Sequence, residues 1–252
     1  MNYLFDISGK KAIVTGGSQG LGKGMAEALL ERGCEVVIIA RSEEVTKTAE
    51  EFRQKGYQCQ GVQGDFSKRE EVYSSFEKAL ELLGTVDILV TAAGIQKRYS
   101  AENFPMEDWD TVMSVNLDAV FIQCQLAGRV MLEKGYGKII NIASMISFFG
   151  GQTIPAYAAA KGGVAQLTKA LTNDWSGRGV CVNAIAPGYM ATEMNTKLME
   201  NKVRNEQISN RIPIGRWGSP DDMKGAVIFL ASPASDYISG AILPVDGGYL
   251  VK

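Results

Sequence analysis

The stretch Lys11-Ala12-Ile13-Val14-Thr15-Gly16-Gly17-Ser18-Gln19-Gly20-Leu21-Gly22 decides the fold of this chain. Its first five residues predict a buried strand, and the run 24–32 predicts a helix. A strand, a glycine turn and a helix N-terminus in this order suit a nucleotide pyrophosphate, because the backbone can approach the phosphates and the helix offers free N–H groups. The spacing differs from the usual G-x-G-x-x-G, since three residues separate Gly16 from Gly20 and one separates Gly20 from Gly22.

Short apolar runs alternate with longer helical patterns along the rest of the chain. The predicted strands are 11–15, 35–40, 58–63, 86–91, 138–143, 179–185 and 241–245. The predicted helices are 20–32, 43–55, 68–83, 107–132, 157–176 and 220–231. Near-continuously apolar strands suit a parallel sheet with both faces covered, and repeated β-α-β units imply right-handed crossovers.

These elements predict the α/β class. We expect one Rossmann-type domain over residues 1–252, with a doubly wound parallel sheet of about seven strands flanked by helices. The cofactor half would occupy about 8–145, and the catalytic and substrate half about 146–252. The irregular segment 187–216 predicts a lid over the site, or else a surface excursion that packs against a neighbouring subunit.

The composition of the 252-residue chain excludes several classes of function. Its net charge of −2 is spread over interspersed acids and bases, so no basic stripe predicts nucleic-acid binding. No apolar run reaches the ~18 residues of a membrane span, and residues 1–6 lack the features of a signal peptide. Histidine is absent, which excludes a histidine triad or a histidine-liganded metal, and no metal site is predicted. Scattered cysteines without a C-x-x-C pair predict core thiols of a cytoplasmic protein: Cys34, Cys59, Cys124 and Cys181.

Tyr157 and Lys161 are four residues apart in a predicted helix. Such residues share one face, one turn from each other. A nearby ammonium favours the phenolate and lowers the pKa of the phenol, which suits alcohol–ketone interconversion. Chance alone often produces such a pair, so its meaning depends on the residues around it.

The surrounding motif residues fall at or just after predicted strand ends. Ligands of open α/β sheets bind beyond the carboxyl ends of the strands. One cleft would therefore collect residues that are scattered along the sequence: Thr15, Ala40, Arg41, Asp65, Ala92, Ala93, Gly94, Ser144, Pro187 and Gly188.

The pattern Thr15-Gly-x-x-x-Gly-x-Gly22, taken with Ser144, Tyr157 and Lys161, resembles the short-chain dehydrogenase/reductase family over essentially the whole chain. Further matches are Asp65, Ala92-Ala93-Gly94, Asn116, Pro187-Gly188 and Val245-Asp246-Gly247-Gly248. The resemblance implies that Tyr157 transfers a proton to or from the substrate oxygen, which Ser144 holds. Lys161 would lower the Tyr157 pKa and bond the nicotinamide ribose, and Asn116 would anchor a water that leads from Lys161 to solvent. Simpler roles stay open, since Asn116 would also cap a helix kink and Ser144 the next turn.

The resemblance also implies the cofactor contacts. The predicted set is Gly16, Ser18, Gln19, Gly20, Leu21, Gly22, Arg41, Ser42, Asp65, Phe66, Ala92, Ala93, Gly94, Tyr157, Lys161, Pro187, Gly188 and Thr192. Asp65 would accept a hydrogen bond from the adenine amino group, and Thr192 would bond the carboxamide or a phosphate. Family members often carry two asparagines where this chain has Thr91-Ala92, so we expect a side-chain tie between neighbouring strands to be lost.

The end of the second strand favours NADP over NAD as the cofactor. A carboxylate there would bond the ribose 2′-hydroxyl and repel a 2′-phosphate, yet the chain has Ala40-Arg41-Ser42. Arg41 offers a planar fork of donors that fits a phosphate. NAD remains an alternative, because an arginine at a strand end can also be a solvated residue without a role in binding.

The implied activity is the NAD(P)-dependent interconversion of a secondary alcohol and a ketone. Residues 141–145, 186–192 and 211–218 resemble gluconate 5-dehydrogenases and 2-deoxygluconate (2-keto-3-deoxygluconate) dehydrogenases, which favours a sugar acid as substrate. Ser144 and Tyr157 would meet the reacting oxygen, Arg98 or Lys97 the carboxylate, and Gln152 a hydroxyl. Two alternatives remain, a 3-oxoacyl-(acyl-carrier-protein) or other carbonyl reductase and a non-catalytic dinucleotide-binding protein.

The resemblance further implies a homotetramer that packs through helices 107–132 and 157–176. A helix with apolar residues on more than one face needs partners beyond its own sheet. Both helices carry such residues: Val120, Phe121, Leu126, Val130, Met131, Val164, Leu167, Leu171 and Trp175.

Overall fold

Seven parallel strands form the central sheet of the molecule, which the computed structural model describes over residues 3–252. They are β1 (Lys11–Thr15), β2 (Glu35–Ala40), β3 (Cys59–Gln63), β4 (Ile88–Thr91), β5 (Gly137–Ile142), β6 (Val180–Pro187) and β7 (Ile242–Val245). Their order in the sheet is β3-β2-β1-β4-β5-β6-β7. This is the doubly wound parallel sheet that the alternating pattern predicted. Met1 and Asn2, which begin the segment predicted to lack a signal peptide, lie outside the described residues.

Helices cross between the strands on both faces of the sheet. They are α1 (Gly20–Glu31), α2 (Glu44–Gln54), α3 (Arg69–Leu83), α4 (Met106–Met113), α5 (Ala119–Lys134), α6 (Pro155–Trp175), α7 (Thr196–Glu200), α8 (Lys202–Arg211) and α9 (Lys224–Ala231). Within residues 3–252, none of these helices combines the length and the apolar character needed to cross a bilayer.

Alternate residues of each strand supply two hydrophobic layers. Val14 and Ile38 belong to the cluster that packs against α1, α2 and α9. Ile13 and Val37, their neighbours in sequence, belong to the cluster that packs against α3, α5 and α6. Since successive side chains of a strand point to opposite faces, near-continuous apolar runs bury both faces of the sheet.

Two predicted helices differ from the observed ones. The predicted helix 107–132 is interrupted by a π-helical turn, Ser114–Asp118, between α4 and α5. The predicted helix 220–231 starts with a 3-10 turn, Pro220–Met223, before α9. There the Asp222 carboxylate accepts from both the N–H and the hydroxyl of Ser219, which fixes the turn. Such tightening or widening of one turn leaves the apolar spacing nearly unchanged, so the pattern did not predict it.

The sheet changes direction at β1, which lies between β2 and β4. Just past the strand ends, Gly16 donates to the oxygen of Ile39 at 2.7 Å, and Ala92 donates to the oxygen of Thr15 at 3.2 Å. The chain leaves β1 toward one face and β4 toward the other, which opens a crevice between them. The fold therefore places its ligand-binding crevice at the glycine turn.

Candidate active site

The glycine turn is shaped by backbone contacts that leave no room for a side chain. Gly16 has a φ of +69°, and a Cβ there would lie 2.8 Å from the backbone of Ala93. A Cβ on Gly22 would lie 2.1 Å from the oxygen of Gly16. At Gly20 the nearest neighbour would be a methyl group of Thr192 at 3.7 Å. The turn thus packs closely against β4 and the start of α1, while its tip at Gly20 stays open to the crevice.

The crevice is a cleft of about 390 Å³ at the carboxyl edge of the sheet. Every residue predicted to contact a cofactor lines it: Gly16, Ser18, Gln19, Gly20, Leu21, Gly22, Arg41, Ser42, Asp65, Phe66, Ala92, Ala93, Gly94, Tyr157, Lys161, Pro187, Gly188 and Thr192. Ser144 lines it too. The fold therefore brings residues from six strand ends to one continuous groove, as expected for an open α/β sheet.

Ser144, Tyr157 and Lys161 lie together at one end of the cleft. Ser144 follows β5 and begins a short turn, where its hydroxyl accepts from the N–H of Ile146 at 3.2 Å. Tyr157 is in the first turn of α6, and its phenol lies close enough to the Ser144 hydroxyl for the serine to influence the tyrosine pKa. Lys161 is one turn further on, and its amine donates to the oxygen of Ile142 at 2.6 Å. Ser144 thus caps a turn and contacts the tyrosine at the same time.

The electrostatics of this group bear on the role predicted for Lys161. Loss of hydration raises the pKa of Tyr157, and the nearby Ser144 hydroxyl and the charge of Arg98 oppose this rise. Burial lowers the pKa of Lys161 to about 8. The lysine amine donates to Ile142 and lies 5.7 Å from the centre of the tyrosine ring. A lowering of the tyrosine pKa by Lys161 stays a prediction.

Asn116 sits in the π-helical turn and is fully buried. Its amide donates to the oxygens of Ile95 at 3.0 Å and Val112 at 2.9 Å, and its oxygen accepts from the N–H of Ile95 at 3.2 Å. A Cβ on Gly94 would lie 2.8 Å from the Asn116 oxygen and 4.0 Å from the Lys161 amine. The asparagine therefore ties the loop after β4 to the helix, beside the lysine, and accounts for the widened turn.

Arg41 and Asp65 lie at the other end of the cleft, beyond β2 and β3. Partial burial acts to raise the pKa of Asp65, but hydrogen bonds from Ser67 and the charge of Arg41 hold it below its usual value. The Asp65 carboxylate accepts from the N–H and the hydroxyl of Ser67 at 3.0 and 2.8 Å. This end thus carries an ionised carboxylate within the field of a guanidinium.

Comparison with known proteins assigns the family. A family model described as Enoyl-(Acyl carrier protein) reductase matches residues 16–250. The 2-dehydro-3-deoxy-D-gluconate 5-dehydrogenase of Bacillus subtilis is 47% identical over 255 aligned residues, covering 100% of both chains. The chain belongs to the short-chain dehydrogenase/reductase family. The predicted family and fold are confirmed.

Two further relatives of this short-chain dehydrogenase/reductase are similar over nearly their whole length. The gluconate 5-dehydrogenase of Gluconobacter oxydans is 39% identical, over 99% of this chain and 98% of that one. The crystal structure of a gluconate 5-dehydrogenase from Burkholderia cenocepacia, in complex with NADP and tartrate, superimposes with a TM-score of 0.95 at 39% identity. It covers 99% of this chain and 98% of its own.

The short-chain dehydrogenase/reductase keeps a side-chain tie between β4 and β5, contrary to expectation. The hydroxyl of Thr91 donates to the amide oxygen of Asn141 at 2.9 Å, and the amide nitrogen of Asn141 donates to Thr168 at 3.0 Å. A threonine thus performs the strand-tying role for which the sequence offered no asparagine. Both hydroxyls are fully buried, so each hydrogen bond also satisfies a polar group that water cannot reach.

The residues predicted for the substrate differ in where they lie. Lys97 forms an ion pair with Asp108 at 3.1 Å, so its charge is already balanced by a carboxylate of the protein. Arg98 lies close enough to Tyr157 for the two to influence each other's pKa. Gln152 is exposed and does not line the cleft.

The segment 187–216 contributes to the cleft and reaches the glycine turn, where Thr192 lies beside Gly20. It supplies residues that sequence reasoning did not assign to the site: Met190, Glu193, Met194 and Asn195. Its helical part is α7 and α8. The irregular composition of this segment was the only signal for these contacts, because no periodic pattern marks residues that face a ligand.

Proposed function

We propose that this chain is an NADP-dependent oxidoreductase that interconverts a secondary alcohol and a ketone on a sugar acid. The observation that carries the proposal is the group Ser144, Tyr157 and Lys161 in a groove whose other lining residues suit a dinucleotide. The exposed Arg98 lies outside this lining, near enough for its charge to act on Tyr157. The relatives are named as gluconate and keto-deoxygluconate dehydrogenases, and one of them was crystallised with NADP. The chain is an enzyme of the alcohol dehydrogenase and ketoreductase type.

The groove fits a dinucleotide. Its glycine turn holds the start of α1 against the strand ends, so the first N–H groups of the helix face the cleft. Gly20 lines the cleft and carries no side chain, which lets a phosphate approach the backbone there. Arg41 and Ser42 line the far end, where a 2′-phosphate would lie, and Asp65 with Phe66 lines the adenine end. Pro187, Gly188 and Thr192 line the nicotinamide end.

The nicotinamide of NADP supplies or accepts the hydride. Tyr157 gives its proton to the substrate oxygen during reduction and takes it back during oxidation. Ser144, beside Tyr157, would hold the same substrate oxygen where charge develops. Lys161, whose pKa burial lowers to about 8, would exchange a proton near neutral pH and would bond the nicotinamide ribose. Asn116 fixes the backbone beside Lys161 and would anchor a water that leads to solvent.

Arg98 is the cation for the substrate carboxylate. Burial lowers its pKa, and the neighbouring Tyr189 and Tyr157 act in the opposite direction. Arg98 forms no ion pair within residues 3–252, so its donor fork is free to bind a carboxylate. Gln152 stays a prediction for a substrate hydroxyl.

A homotetramer belongs to the proposal, with activity that depends on assembly. Some of the apolar residues expected at the interface are instead buried in the subunit's own core: Val120, Met131, Val164 and Leu171. Phe121 is 42% exposed on α5, and others are only partly buried: Leu126, Val130, Leu167 and Trp175. These remaining residues support packing of α5 and α6 against a second copy. Light scattering that finds an active monomer would remove this part of the proposal.

The protein acts in the cytoplasm under this proposal. Its four cysteines are free thiols, and Cys34, Cys59 and Cys124 are buried. Burial raises the pKa of each of these three thiols to about 12, so they are unreactive core residues.

A substrate panel tests the activity. NADPH oxidation is measured with 5-keto-D-gluconate and with acetoacetyl thioesters, and NADP reduction with D-gluconate and neutral polyols. Turnover of the sugar acids with NADP(H) is expected. Efficient reduction of the thioesters without turnover of any sugar acid would favour a 3-oxoacyl-(acyl-carrier-protein) or other carbonyl reductase. Cofactor binding without any turnover would favour a non-catalytic dinucleotide-binding protein.

A further inference from the structure

The lid helix α8 is anchored beside the substrate end of the cleft. The side chain of Asn201 caps the helix by accepting from the N–H of Arg204 at 3.0 Å. The side-chain oxygen of Asn205, which follows Arg204, accepts from the indole N–H of Trp217 at 2.8 Å. The indole packs edge-on against Tyr189, with 5.2 Å between ring centres. This chain of contacts fixes the first turn of α8 over Tyr189, which directly follows the cleft residue Gly188.

Arg204 therefore approaches the same place as Arg98. Arg98 comes from the loop after β4 and Arg204 from the lid, and the two positive charges act on each other. Both also act on the half-buried Tyr189, where they oppose the rise of its pKa that burial causes. Arg98 additionally faces the reactive Tyr157. The charges of two exposed arginines thus act on one phenol, over which the first turn of α8 is anchored.

Neither guanidinium forms an ion pair within residues 3–252. The side chain of Arg204 donates only to the amide oxygen of Gln207, at 3.2 Å. By contrast, Arg216 on the same lid segment forms two bonds of 2.7 Å to the Asp222 carboxylate. Two like charges near each other without a shared carboxylate are unfavourable, and an anion between them would reverse the sign of that interaction.

The anion that fits this position is a part of the substrate rather than of the cofactor. Arg41, the cation suited to a cofactor phosphate, lies at the opposite end of the cleft beyond β2. The phosphate-binding glycine turn lies between the two ends. A group held by Arg98 and Arg204 would instead lie on the Tyr157 side of the cleft, because the charge of Arg98 acts on Tyr157.

We propose that Arg204 is a second substrate-carboxylate residue, which with Arg98 clamps the acid group of a sugar acid between the lid and the body of the enzyme. The inference rests on the proposed function and names the feature of the substrate that this site selects. A planar carboxylate accepts from two forks at once, so the bound substrate joins α8 to the loop after β4. A neutral polyol or a thioester offers no such bridge. The carboxylate is thereby a requirement for holding the lid in place over the site.

The test compares Arg204→Leu and Arg204→Lys with a matched control, Lys202→Leu. Lys202 is an exposed cation on the same helix, two residues away and hence on a different face. D-Gluconate and D-glucitol, which differ only in a carboxylate against a hydroxymethyl group, are measured as inhibitors of the reduction of 5-keto-D-gluconate. The Michaelis constant and the turnover number for this keto acid are determined alongside, together with the Michaelis constant for NADPH.

Arg204→Leu is expected to raise both the inhibition constant of D-gluconate and the Michaelis constant for the keto acid by at least about tenfold. The inhibition constant of D-glucitol and the Michaelis constant for NADPH should stay within about twofold of the wild-type values. For D-gluconate and the keto acid, the constants of Arg204→Lys should lie between those of Arg204→Leu and the wild type. The control should match the wild type. A D-gluconate constant unchanged in Arg204→Leu would overturn the assignment of Arg204. Absence of sugar-acid turnover in the wild type would instead overturn the proposed function, and it would be seen before any variant is compared.

Discussion

The amine of Lys161 donates to the main-chain oxygen of Ile142 at 2.6 Å and lies 5.7 Å from the centre of the Tyr157 ring. Ile142 ends β5, and Ser144 follows two residues later. The lysine is therefore anchored to the same strand end that supplies the serine. The hydroxyl of Ser147 reinforces this link by donating to the oxygen of Lys161 at 2.7 Å. The relative position of the three reactive groups is thus set by backbone contacts, independently of any ligand.

Tyr157→Phe is expected to reduce turnover by a factor of about 10²–10⁴, because only the hydroxyl can transfer the proton. The affinity for NADP should remain nearly unchanged, since the ring still fills its place at the cleft wall. Steady-state rates and cofactor titrations should be measured on the same preparations. Tyr237→Phe removes a hydroxyl from a fully exposed tyrosine and serves as the control. Retention of most activity in Tyr157→Phe would show that another group transfers the proton.

Lys161→Met is expected to change the pH dependence of stability in a defined direction. Burial lowers the pKa of Lys161 from 10.5 to about 8, so between these pH values the unfolded chain holds a proton that the folded chain has lost. The stability of the wild type therefore rises with pH across this window. Below pH 8 the buried charge lowers the stability of the wild type by roughly 3 kcal/mol. The variant avoids this cost but loses the hydrogen bond to Ile142, so its net gain in stability is smaller.

The melting temperatures of both proteins from pH 7 to pH 10 check this expectation. The melting temperature of Lys161→Met should exceed that of the wild type most near neutral pH, and this excess should shrink as the pH rises from about 8 toward 10.5. Lys169→Met, which replaces an exposed lysine of the same helix, should show no such trend. A constant difference across the whole range would mean that the folded protein does not perturb the Lys161 amine.

Arg41→Asp is expected to shift cofactor preference from NADP toward NAD. The new carboxylate would repel a 2′-phosphate and bond the 2′-hydroxyl of NAD. A charge reversal beside a phosphate changes affinity by a few kcal/mol at most, so the ratio of the two kcat/KM values should change by about ten- to several-hundred-fold. The exposed Arg178, before β6 and away from the cleft, gives a matched Arg178→Asp control. An unmodified enzyme that already prefers NAD would contradict the role given to Arg41.

Gly16→Ala is expected to cost both stability and cofactor affinity. Gly16 has a φ of +69°, and an added Cβ would lie 2.8 Å from the backbone of Ala93. Gly56 has a similar φ of +87° but nothing within 4 Å of its added Cβ. Gly56→Ala should therefore be less stable than the wild type by only roughly 1–2 kcal/mol, which is the cost of the left-handed backbone for alanine. Its affinity for NADP should be unchanged.

Urea unfolding and NADP titration of the two alanine variants separate strain from close approach. Gly16→Ala should be the less stable variant and should bind NADP at least about tenfold more weakly, because the turn must move away from β4. Equal losses in both proteins would mean that the turn tolerates a side chain, and that the contact with Ala93 does not shape the phosphate site.

The strand, glycine turn and helix at residues 11–31 could be predicted because the signals are local. Glycines mark the turn, apolar runs mark strands buried on both faces, and the order of elements restricts the sheet topology. The same signals placed the ends of β1, β2 and β4 beside one another, so the residues that line the cleft could be named from the sequence. Helical spacing placed Tyr157 and Lys161 on one face, and the motif residues around them gave this pair its meaning.

Only the tertiary structure determined which groups the charged side chains around this cleft contact. The sequence brought Tyr157 and Lys161 to one helix face, yet the amine bonds to Ile142, which lies 19 residues earlier in the chain. Arg98 and Arg204 are separated by more than a hundred residues, and their charges act on each other because α8 is anchored through Trp217 to Tyr189. Such contacts depend on how side chains pack across crossovers and along an irregular lid. Sequence periodicity specifies which face of an element is buried, but the partner that a polar group meets there is fixed only when the elements pack together.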